Sequence, residues 1–153
     1  MITMCRQNKA KEFLRQPKKL DKMIENKLIE KEQWKAIATG TAAQMGGERV
    51  QSSGSQQKMA DAIGRYIDIE KEINETIDKL IDEKKDVISV IEQLELTEYD
   101  IMHMVYIQYL TLEEAAMAYC NSYSWATTIH GRALKNVQKI LDEREKARNG
   151  NKI

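Results

Sequence analysis

Apolar residues return every seven positions through the middle of the chain. Met59, Tyr66, Ile73, Leu80, Val87 and Leu94 form one series, and Ile63, Glu70, Ile77, Lys84 and Ile91 form a second, offset by four. Steps that alternate four and three are the heptad spacing of packed helices. Ile67, Ile81 and Ile88 widen the stripe. The pattern predicts one helix from Gln56 to Leu94, roughly 55–60 Å long at 1.5 Å per residue. Glu70 and Lys84 interrupt the second seam. Charge there can set register, but long side chains more often reach out to water.

A first helix is expected from about Lys9 to Ala38, with Leu14, Leu20, Met23, Ile24, Leu28, Trp34 and Ile37 at helical spacings. Pro17 should break it, so that the main helix starts there. Gly40 to Gln56 separates the two helices and holds Gly40, Gly46, Gly47 and Gly54. The stretch from Gly46 to Gly54 is not expected to be helical. The connector exceeds the usual length of about two to eight residues and reads as flexible, with Arg49 and Gln51 as its binding candidates. It has no GKS/T and no preceding strand, so it does not read as a phosphate loop. Residues 1–95 are thus expected to form a coiled-coil-like helical hairpin, with a loop at about 39–56.

Residues 96–153 read as a three-helix head. Thr97 with Asp100 resembles a cap for a helix from Glu98 to Tyr109. Thr111-Leu112-Glu113-Glu114 is a capping box for a short helix from Leu112 to Tyr119. Cys120-Asn121-Ser122 makes a turn, and Ser122 caps a last helix that buries Ala126, Ile129, Ala133, Val137 and Ile140. A short helix, a tight turn and a capped longer helix make the helix-turn-helix plan, in which the start of the last helix enters the major groove of DNA. The fold expected is all-α: a long antiparallel helical hairpin followed by a C-terminal helix-turn-helix head.

Composition narrows the class. One proline and seven glycines in 153 residues argue against an all-β chain. No apolar run approaches the roughly 18 residues of a membrane span, and the N-terminus lacks a signal-peptide pattern, so a cytoplasmic protein without membrane contact is expected. Cys5 and Cys120 match no metal or redox spacing. Twenty-four basic residues balance twenty-four acidic ones, which excludes a globally basic nucleic-acid binder. The distribution is uneven. Residues 1–38 hold ten basic and five acidic residues, 39–110 hold seven and fourteen, and from Ser122 onward the balance is seven to three. His103 and His130 have no metal-spaced partners, and no nucleophile–base pair or catalytic carboxylate pair is visible. The expectation is a non-enzyme with no cofactor, metal or small-molecule substrate.

The stretch from Thr111 to Ala116, followed by Ser122, Ala126, Ile129 and Arg132-Ala133-Leu134, resembles region 4 of bacterial sigma factors. Over nearly its full length, with Arg49-Val50-Gln51-Ser52-Ser53-Gly54 and His130-Gly131-Arg132-Ala133-Leu134, the chain is similar to a family of Gram-positive phage and prophage proteins. These are termed sigma-like or grouped with late transcription regulators. The resemblance implies double-stranded DNA as partner, with base-reading positions at Tyr123, Ser124, Thr127 and Thr128 and phosphate contacts at Arg132 and Lys135. Ser122, Trp125 and His130 complete the candidate DNA-binding set, with His130 near the exposed face. Sigma factors often carry Arg, Glu or Gln at the reading positions, and often glycine where Cys120 stands. The expected function is a phage or prophage transcription regulator that reads promoter DNA and either contacts RNA polymerase or self-associates through its helical arm. The alternatives are a small-terminase-like packaging component and a protein adaptor without DNA binding.

Overall fold

A computed structural model describes residues 2–40 and 53–151. It is all-helical among these residues, with five helices: α1 (Ile2–Ala38), α2 (Ser53–Ile91), α3 (Leu96–Tyr106), α4 (Leu112–Ala118) and α5 (Tyr123–Gly150). Among the described residues no helix is long and apolar enough to cross a membrane. The expected loop lies mostly outside the described residues, at 41–52. Its last four positions, Ser53 to Gln56, already belong to α2, so Gly54 is helical contrary to expectation.

Two compact units divide the chain. The first joins residues 1–19 to residues 80–153, and the second is residues 20–79. The expected boundary at 95/96 therefore falls inside the first unit.

In the first unit, Ala10 and Leu14 of α1 enter one core with Val87, Val90 and Ile91 of α2, Met102 and Tyr106 of α3, and Ala133, Leu134 and Val137 of α5. Helix α1 does not break at Pro17, contrary to the sequence expectation. Pro17 donates no backbone hydrogen bond. It is nevertheless fully buried, as are Ala10 and Leu14 at i−7 and i−3 on the same face. Apolar burial along one face outweighs the lost backbone bond, since tertiary packing supplies most helix stability in proteins. Thr97 is not a cap either: α3 starts a residue earlier, at Leu96, and Glu95 precedes it without a side-chain cap bond.

In the second unit, Lys27 pairs with Glu72 at 2.8 Å, Lys31 with Glu70 at 3.6 Å, and Arg65 with both Glu30 at 3.3 Å and Glu72 at 3.1 Å. The Glu72 carboxyl is held below its ordinary range by the bonds from Lys27 and Arg65. Glu70, expected to reach out to water, is exposed and meets Lys31 there. Lys31 also lies 5.2 Å from the Tyr66 ring centre.

The heptad expectation is corrected in one seam. Ile73, Leu80 and Val87 of the first series are buried. Beside them the structure buries Ala62, Ile69 and Val90, each one residue before a member of the expected second series. Ile63 and Ile77 of the second series are exposed instead, with Ile67, Ile81 and, from the first series, Met59, whereas Ile91 is buried as expected. Both offsets give alternating steps of three and four, so spacing alone does not choose between them.

Candidate nucleic-acid interface

The α4–turn–α5 segment is built from local signals. The Thr111 side chain accepts from the Glu114 backbone N–H at 3.1 Å and starts α4. Backbone donors from Tyr119, Cys120 and Asn121 close on carbonyls of Ala115, Ala116 and Met117, which ends the helix within one turn. Cys120 adopts φ 53°, in the left-handed region. That conformation reverses the chain direction and is ordinarily given to glycine. Ser122 then accepts from the Trp125 N–H at 3.1 Å and starts α5.

Packing fixes which face of α5 turns outward. Ala126, Ile129, Ala133 and Val137 are buried as expected, and Ile140 is half-buried. Ile129 packs with Ile101 of α3 and Ala115 of α4 in a second small core. The small alanines of α4 let α5 cross closely. Ser122, Tyr123, Ser124, Thr127, Thr128, Arg132 and Lys135 are exposed. Tyr123 is 55% exposed, a large aromatic with one free face. Thr127 and Thr128 donate their hydroxyls to the carbonyls of Tyr123 and Ser124, at 2.9 and 3.0 Å. Their oxygens remain available outward as acceptors.

Three candidates sit in more constrained surroundings. Trp125 is half-buried, with its ring 5.4 Å from that of Tyr119, and packs against the second core. Tyr119 itself donates to Asp100, which pushes its hydroxyl up to about 12. Arg132 turns back onto α3, donating to Glu98 at 2.7 Å and Glu95 at 3.4 Å. Glu98 is 2% exposed and also accepts two bonds from Asn136. A buried carboxylate needs such partners, so Arg132 has structural work besides any phosphate contact.

His130 is half-buried rather than on the outer face. Its Nε2 lies 2.7 Å from the Tyr106 hydroxyl, and the rings stack at 5.7 Å. Burial, with Lys11 and Arg15 nearby, pushes the imidazole down to about 4, so it is neutral at pH 7. Burial also raises the Tyr106 hydroxyl to about 12. Lys11 and Arg15 carry no obvious signal in the sequence, because they lie more than a hundred residues from His130.

No group of His, Cys, Asp or Glu among the described residues could hold a metal ion. No protein-family model matches the chain, and neither a curated protein nor a solved structure is significantly similar to it.

Proposed function

We propose that the chain is a DNA-binding transcription regulator whose last helix, α5, reads the major groove from the head of a helical hairpin. One observation carries the reading: a Thr111-capped α4, a left-handed Cys120 turn and a Ser122-capped α5 that keeps Tyr123, Ser124, Thr127 and Thr128 exposed over its first two turns. In the helix-turn-helix plan those turns contact base edges. Hydroxyls and a tyrosine serve as acceptors and as apolar contacts for thymine methyls. Lys135 lies further along the same exposed side and supplies phosphate contact, with Lys139 beyond it.

The second copy and RNA polymerase are the protein partners of this reading. Self-association through the arm is supported by Met59, Ile63, Ile67 and Ile77, an apolar row of α2 that the chain leaves exposed. Packed against the same row of another copy, it completes a second seam. A ring of many subunits formed in this way would turn the reading toward a packaging component.

A DNA selection followed by anisotropy titrations at several salt concentrations tests the proposal. A selected duplex should bind with a slope of about −0.9 per phosphate contacted. Ser124→Ala and Thr128→Ala should change base preference and leave the slope alone, whereas Lys135→Ala should flatten it by about one. A chain that binds no duplex at low salt is an adaptor, not a regulator of this kind.

A further inference from the structure

The first compact unit holds a cavity of about 310 Å³ whose wall includes Lys11, Arg15 and Lys18 of α1, His130 of α5, and the segment leading into α4. None of the described residues that line it is acidic. The three cations stand at i, i+4 and i+7, so they share one face of α1 over about 10 Å. Elsewhere Lys27, Lys31, Arg65 and Arg144 each meet a carboxylate. Among the described residues Lys11 and Arg15 close on none. Lys18 stands 5.9 Å from the ring centre of Tyr109, and Lys84 stands 5.8 Å from it. Tyr109 takes φ 61°, a left-handed conformation costly for a large residue. The Tyr106–His130 pair adds hydrogen-bonding groups and no negative charge.

A cavity with several cations, neutral donors and no acid is built for an anion rich in oxygen. Its wall includes Tyr109, Leu110, Thr111 and Leu112, which lead into the helix that crosses the DNA backbone in the helix-turn-helix plan. We propose that this cavity is a phosphate-binding site, and that its phosphate belongs to the DNA strand crossed by α4. A row of cations about 10 Å long follows a strand better than it cages one small ion. The site rests on the DNA-binding reading of α5 and extends it: the start of α1 becomes part of the DNA interface.

The test uses the full chain and a duplex of random sequence, with anisotropy read at several salt concentrations. The triple variant Lys11→Gln/Arg15→Gln/Lys18→Gln should lose roughly tenfold or more in affinity at low salt. Its salt slope should fall by about 0.9 for each phosphate released. Circular dichroism establishes that the variant is folded, and Lys11→Arg/Lys18→Arg should keep the wild-type slope. Inorganic phosphate is titrated separately while the His130 ring protons are followed by NMR. Wild-type duplex binding with an unchanged slope in the triple variant, and no response of the His130 signals to phosphate, would overturn the site and leave the α5 reading standing. No duplex binding by the wild type would overturn both. Saturation of the His130 signals by micromolar inorganic phosphate, with no effect of the triple variant on duplex binding, would make this a free-phosphate site and overturn the backbone assignment.

Discussion

Cys120 and Tyr109 both occupy left-handed backbone, but with different consequences. Cys120 is exposed, so its side chain contributes little packing to offset the strain. Relief of about 1–2 kcal/mol of left-handed strain exceeds the entropy cost of a glycine. Cys120→Gly should therefore stabilise the fold by about 0.5–1 kcal/mol, read as a rise in melting temperature, and Cys120→Val should lower it. Tyr109 bears two lysine contacts, and glycine there would lose them. His130 gives a pH prediction. Its folded value of about 4 lies below the ordinary value of 6.5, so the unfolded chain binds the extra proton first. Stability is complete above about pH 6.5 and falls as pH drops from there toward 4, by up to a few kcal/mol. Urea midpoints across this window should show the decline, and His130→Gln should flatten it.

Helix α2 carries two apolar seams on one rod, and the fold buries one of them. Ile73→Asp places a charge in the packed seam and should cost several kcal/mol. Ile77→Asp, on the exposed row, should cost far less in thermal melts but reduce the native mass measured by light scattering. Equal destabilisation by both would mean that the two rows are packed alike. The period of seven was legible because it is a property of α2 alone. The choice of seam was not, since it depends on what α1 presents across the pair. The caps at Thr111 and Ser122 were legible for the same local reason: each bonds a backbone N–H three residues on. Continuity through Pro17 was not, because its compensation lies in distant apolar partners. Gly131 of α5 separates stability from binding. A methyl group there meets nothing within 4 Å, so Gly131→Ala should raise stability by about 0.5–1 kcal/mol. On a face that approaches DNA closely, the same methyl should weaken duplex affinity, so melting temperature and affinity move in opposite directions.

At the scale of the molecule, the candidate site is assembled from segments far apart in sequence. Helix α5 announces itself through its own pattern, whereas Lys11, Arg15 and His130 come together only through the core that joins residues 1–19 to residues 80–153. Leu14 is fully buried in that core. Leu14→Ala should cost about 2–5 kcal/mol and speed amide hydrogen exchange in α5, although more than a hundred residues separate them; unchanged exchange there would separate the two in folding. The discontinuity also bears on synthesis. Chains emerge from the ribosome N-terminus first, at about 5–20 residues per second. The Ala10–Leu14 face is made early and must wait for Val137, roughly 6–25 seconds at that pace, before its core can close. During that interval the apolar face of α1 around Ala10 and Leu14 is open to the cell, so nascent chains arrested near residue 130 should engage chaperones through α1, whereas completed chains should not.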